Sequence, residues 1–175
     1  MGNFYSNQNS KTLQISAKNE PNVNNNNEQA VLIPVDCSEQ AEAAFKWYYH
    51  HVHKPENIVR VLHCVDLNQS IIGHSKISVK DQMEKHGKEG KRALEKYQNI
   101  MRDNNIKGSV HFEMGHPGET VVKAAMRHNV SHIVMGTRGF GLIRRTILGS
   151  VSEYVIHHSQ VPVTVVPKET TSWFF

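Results

Sequence analysis

The chain has 175 residues, a formal charge of +4 with the histidines neutral, and two cysteines. That length is enough for one domain with a real core, the charge is too small to call for a nucleic-acid partner, and two thiols cannot build a disulfide framework. No apolar run is long enough to span a bilayer and no secretory signal is visible. Cys37 and Cys64 fit a reducing compartment, as small buried apolar side chains, and a cytoplasmic protein is expected.

Residues 1–29 are rich in Asn and lack apolar periodicity. Such a segment cannot bury enough surface to offset its ordering entropy, so a disordered arm is expected there, ahead of a domain over 30–168 and a short tail at 169–175. The arm opens on "MGNFYS", which matches M-G-x-x-x-[ST] with Gly2 and Ser6 in place and predicts N-myristoylation of Gly2. One acyl chain gives weak membrane contact. Lys11 and Lys18 are a poor polybasic supplement, and no cysteine lies nearby for a second chain.

"QAVLIPVD" (29–36) is an apolar run ended by Asp36, the pattern of a strand buried on both faces. Ser38 is placed to cap the helix that follows, in which Ala41, Ala44, Phe45 and Tyr48 share a face. "NIVRVLHCVD" (57–66) is a second strand, residues 67–76 a polar loop, and 78–103 a long charged helix. Its inward stripe is Val79, Met83, Leu94, Tyr97 and Met101, weakened locally by Gly87 and Gly90. A third strand covers 107–115, a helix begins after Pro117, a fourth strand covers 131–137, a helix covers 150–159 and a fifth strand covers 161–167. Pro162 suits a strand entry or a sheet edge. Alternation of this kind predicts an α/β domain, with an open parallel sheet and helices on both faces.

In such sheets ligands bind beyond the carboxyl ends of the strands, where strand order reverses. Residues capable of chemistry gather at those ends: "PVDCS", "HCVD", "EMGHPG", and "GTRGFGLIRRTILGS" at 136–150. The last stretch has neither the P-loop nor the dinucleotide fingerprint. It spaces Gly136, Gly139, Gly149 and Ser150 as G-x₂-G-x₉-G-S. Glycines let backbone amides approach an anion, and a helix opened by Gly149 and Ser150 offers free amides and a favourable dipole to phosphate. Arg138, Arg144 and Arg145 could add charge.

This arrangement resembles the ATP-binding branch of the universal stress protein family. The resemblance runs through "VLIPVD" (31–36), "VLHCVD" (61–66), "GHPGETVVKAA" (115–125) and the stretch from 136 to 167. It implies a five-stranded parallel sheet in order 3-2-1-4-5, of the adenine nucleotide alpha hydrolase-like kind, with the reversal between strands one and four. It also implies a role for each matching residue. Asp36 would face the adenine or ribose, with Pro34 and Val35 on the adenine side. Val65 would contact adenine through its backbone, and Met114 and Gly115 would lie near the nucleoside. Gly136, Arg138 and Gly139 would wrap ribose and phosphates, while Gly149, Ser150 and Val151 would hold the phosphates. ATP, with or without Mg²⁺, would be the ligand of a stress-response regulator. A homodimer would form through strand five, from Val161 on to Val166, whose apolar edge otherwise stays unpaired.

Simpler readings stand beside these. Asp36 could make an Asx-turn. Ser150 and Glu153 form a capping box, which needs no ligand. The glycines could be a mobile turn and the arginines merely solvated. "HHVH" (50–53) could ligate a metal, or could satisfy the helix dipole. His116 could make a pH-dependent contact. Cys37 and Cys64 could form a redox pair or be inert. Two further functions compete with regulation: slow ATP hydrolysis, for which no paired carboxylate set or P-loop lysine is visible, and a plain interaction module with a vestigial pocket.

Overall fold

The computed structural model describes residues 28–66, 79–137 and 148–167. Gly2, the loop at 67–76, Arg138, Gly139, Arg144, Arg145 and the tail at 169–175 lie outside the described residues, as do the side chains of Val79 and Met83.

Strands and helices alternate as β1 (Ala30–Val35), α1 (Glu39–His51), β2 (Ile58–Val65), α2 (Val79–Asp103), β3 (Gly108–Met114), α3 (Pro117–Arg127), β4 (His132–Gly136), α4 (Ser150–His158) and β5 (Val163–Val166). The five strands form one sheet in the order β3-β2-β1-β4-β5, and every pairing is parallel. Each expected element is present, most of them a residue or two shorter than its apolar run. Pro162 stays outside β5, and its carbonyl accepts a hydrogen bond from the Ile133 amide at 3.0 Å.

The period of two along each strand divides the core between the faces of the sheet. Val31, Ile33, Val35, Val59, Val61 and Val134 pack with Phe45 and Tyr48 of α1 and with Leu94, Tyr97 and Met101 of α2. Leu32, Ile58, Leu62, Ile133 and Met135 pack on the other face with Val121, Ala124 and Ala125 of α3 and Val155 of α4. β1 reads as a continuous apolar run, and β2 as one interrupted only by the buried Arg60 and His63, because both faces are covered.

Two local expectations resolve clearly. Ser38 caps α1, its hydroxyl oxygen accepting from the Ala41 amide at 3.2 Å. The glycines of α2 do not interrupt it. Gly90 is buried, and a β-carbon there would stand 2.3 Å from the Phe112 ring, so this position is small because β3 packs closely against it.

Candidate functional site

A parallel sheet brings all its strand ends, and the helix starts that follow them, to one edge. β1 and β4 are neighbours whose chains continue to different sides of the sheet, α1 covering one face and α4 the other. The parting of their ends leaves a cavity of about 530 Å³, within the size range of small-molecule sites.

Each surrounding element supplies part of the wall. β1 and the turn after it give Pro34, Val35 and Asp36; the start of α1 gives Ser38 and Ala41; β2 and its end give Leu62, Cys64 and Asp66. α3 adds Pro117 and Val121, the end of β4 adds Met135, Gly136 and Thr137, and the start of α4 adds Gly149, Val151 and Ser152. Pro34, Leu62, Val121, Met135 and Val151 make an apolar surface fit for a flat ring. The carboxylates of Asp36 and Asp66 accept hydrogen bonds only, and so suit hydroxyl or amino donors.

Asp36 does make an Asx-turn: its Oδ1 accepts from the Ser38 amide at 3.1 Å and from the Ser38 hydroxyl. Cys37 between them takes φ 63°, the left-handed conformation that turns the chain from strand into helix. The turn and the cavity wall are roles of the same side chain.

At the start of α4 the N-cap is Gly149, with φ 81° and ψ 138°, a conformation open to glycine and strained for other residues. No side chain caps this helix, so the amides of Ser150, Val151 and Ser152 lack both an intrahelical carbonyl and a side-chain acceptor among the described residues. This corrects the capping-box expectation. Ser150 is the first helical residue rather than the cap, its side chain is exposed, and it does not form part of the cavity wall. The third position of the first turn is Ser152, whose hydroxyl donates to the Gly136 carbonyl at 3.3 Å and ties α4 to the end of β4. Gly136 has a packing reason to be glycine, since a β-carbon there would lie 2.5 Å from the Gln40 carbonyl oxygen of α1.

Of the site residues read from the sequence, Pro34, Val35, Asp36, Gly136, Gly149 and Val151 meet around the cavity. Val65, Met114 and Gly115 stand at the ends of β2 and β3 without joining its wall. The Gly115 amide donates to the Val65 carbonyl at 3.0 Å, and the Cys64 thiol to the Gly115 carbonyl at 3.6 Å. Leu62, Cys64, Asp66, Pro117, Val121, Met135, Thr137, Ser38, Ala41 and Ser152 line the cavity without having been chosen as ligand contacts.

The cysteines also need correction: Cys37 is exposed, not buried, and only Cys64 is partly buried. Burial pushes the Cys64 thiol up to about 11, and partial desolvation of the Cys37 sulfur, together with the neighbouring Asp36 charge, raises Cys37 although the residue as a whole is exposed, so both are held as neutral thiols, poor nucleophiles. His50 and His51 occupy the last turn of α1, while His53 Nδ1 accepts from the Tyr48 hydroxyl at 3.2 Å. Among the described residues no group of three or more His, Cys, Asp or Glu is placed to hold a metal ion.

Comparison with known proteins places this architecture. The model of the universal stress protein family matches residues 28–167. Universal stress protein MJ0577 of Methanocaldococcus jannaschii is 31% identical over 160 residues, covering 81% of this chain and 96% of the relative. Its solved structure superimposes with a TM-score of 0.68 at 29% identity, over 81% of this chain and 96% of that one. A universal stress family protein of Arabidopsis thaliana with AMP bound shares the fold, with a TM-score of 0.63 at 18% identity, over 82% and 94% of the two chains. So does a universal stress protein in complex with cAMP, with a TM-score of 0.59 at 16% identity, over 79% and 96%.

Proposed function

The chain belongs to the universal stress protein family, and on that footing we propose that it binds ATP in the cavity between β1 and β4 and acts as a nucleotide-dependent regulator in the stress response. The observation that carries this reading is the polarity of the cavity. One side holds acceptor-only carboxylates, Asp36 and Asp66; the other holds the start of α4, whose amides no side chain among the described residues caps. A nucleotide has the matching polarity, with donor hydroxyls and an amino group at one end and anionic phosphates at the other. The helix dipole adds to the attraction for phosphate. The AMP and cAMP held by two proteins of the same fold support adenine as the base.

In this reading Pro34, Val35, Leu62 and Met135 flank the adenine, Asp36 takes a ribose hydroxyl, and the amides of Gly149, Ser150 and Val151 hold the phosphates. Gly136 sets the distance between β4 and α1, and the family resemblance implies that Arg138 and Gly139, outside the described residues, contact the ribose and phosphates. Mg²⁺ would enter as the counter-ion of the triphosphate, keeping most of its waters. The residues proposed to act bind and orient the nucleotide; none is assigned to activate a water, so turnover is expected to be slow or absent.

The test is mass spectrometry of small molecules released from protein purified without added nucleotide, followed by calorimetric titration with ATP. An adenine nucleotide in the extract and saturable ATP binding, with little ADP formed over hours, are expected. Multiple turnovers would make the protein an ATPase, and absence of both bound nucleotide and titratable binding would leave an interaction module.

Two further proposals concern assembly. β5 is a sheet edge bearing the half-buried Val163 and Val165, and Ile156 of the adjoining α4 is 42% exposed. Pairing with a second copy through this edge would cover both. Light scattering should report a dimer that Val165→Lys converts to monomer. Acylation of Gly2 should appear as a myristoyl adduct in the intact mass of protein made in a eukaryotic host.

A further inference from the structure

We infer that Ser38 is a positioning residue for the ligand: it fixes the Asp36 carboxylate so that one oxygen is spent on the protein and the other is presented to a ribose hydroxyl. The inference rests on the nucleotide reading above and adds a residue and a selectivity to it.

The geometry leaves little freedom to the serine proton. The Ser38 hydroxyl oxygen accepts from the Ala41 amide at 3.2 Å, so the hydroxyl is already fixed as the cap of α1. Its own proton then points to Asp36 Oδ1, which also accepts from the Ser38 amide at 3.1 Å. Two donors from one residue thus converge on one carboxylate oxygen. The left-handed turn at Cys37 brings the two residues face to face. Ser38 is buried, whereas Asp36 is exposed on the cavity wall, so the remaining oxygen, Oδ2, is the one a ligand can reach.

A carboxylate held this way has lost rotational freedom before the ligand arrives, which removes part of the ordering cost of binding. It accepts a hydrogen bond and donates none. The nucleotide should therefore be recognised through a free 2′- or 3′-hydroxyl, and the site should discriminate against sugars that lack both. Asp36 touches the ligand; Ser38 acts through it.

The experiment separates positioning from capping. Glycine is among the residues well tolerated at an N-cap, so Ser38→Gly should fold; it keeps the backbone amide and loses the hydroxyl. Ser38→Thr keeps both. Wild type and both variants are titrated with ATP and with 2′,3′-dideoxy-ATP. Wild type should prefer ATP. In Ser38→Gly the affinity for ATP should fall about tenfold, towards that of the dideoxy compound. Its affinity for the dideoxy compound should stay unchanged, and Ser38→Thr should behave as wild type. An unaltered preference in Ser38→Gly, or an equal loss for both compounds, overturns the inference while leaving the nucleotide reading in place. Failure of wild type to bind ATP at all removes both, and shows in the first titration.

Discussion

Replacing Gly149 by valine tests the join between backbone geometry and phosphate binding. At φ 81° and ψ 138° this residue sits where a β-carbon is strained, which costs about 1–3 kcal/mol. A domain stable by about 5–15 kcal/mol survives that loss, and melting should fall by roughly 2–4 °C for each kcal/mol. The strain can be relieved by rotating the first turn of α4, which re-aims the amides of Ser150 and Val151. Loss of one amide–phosphate bond, worth about 1.5–3 kcal/mol when the acceptor is charged, would weaken ATP binding by roughly 10- to 150-fold. Adenosine, which has no phosphate, is the internal control. Titration of both ligands, with circular dichroism to confirm the fold, should show ATP affinity collapsing and adenosine affinity nearly unchanged. A folded Gly149→Val variant with wild-type affinity for ATP would refute the assignment of phosphates to the start of α4.

Other perturbations read other parts of the structure. Gly136→Ala would press a β-carbon to within 2.5 Å of the Gln40 carbonyl oxygen, where backbone cannot yield, so urea denaturation should show a loss of about 1–3 kcal/mol. His63 is buried, donates through Nδ1 to the Val35 carbonyl at 2.9 Å, and has its pKa lowered chiefly by burial. The folded state therefore resists its protonation, and stability is complete above the ordinary value near about 6.5 and declines as pH falls from there towards the lower folded value. His53 and His132 are lowered for the same reason and add to the same slope. Melting curves from pH 7.5 down to 5 should reveal that decline, and His63→Gln should flatten it. Thiol labelling at pH 8 should modify the exposed Cys37 before Cys64, and ATP should slow the second reaction because Cys64 lines the cavity. Faster labelling of Cys64 would contradict its burial.

Most of the fold was legible in the sequence for a physical reason. Strands covered on both faces are mostly apolar, so "AVLIPV", and "IVRVLHCV" despite its buried Arg60 and His63, stand out without any alternation. The serine after Asp36 marked a helix start, and Gly149 marked another. The walls of the site were harder to read because a run without alternation does not say which face each residue takes. Cys64 and Leu62 share one face of β2, and that face is the cavity side. Val65 is singled out for its backbone, whereas the side chains that reach the cavity from this strand are those of Leu62 and Cys64, on the opposite face from Val65. The two Met-Gly pairs make the same point at the level of topology. Met114–Gly115 ends β3, at the far edge of the sheet, whereas Met135–Gly136 ends β4, beside β1 and the reversal point, and it is the second pair that lines the cavity. The expected strand order held that information. The capping box misled because its spacing is satisfied by Ser150 and Glu153, yet the helix begins one residue earlier than a serine cap would place it, on a glycine with positive φ.

A crystal structure of the protein grown with ATP addresses the central claim most directly. The expected result is a triphosphate within hydrogen-bonding distance of the Ser150 and Val151 amides, with a ribose hydroxyl on Asp36. ATP lying elsewhere on the molecule, or phosphates turned away from the start of α4, would contradict it.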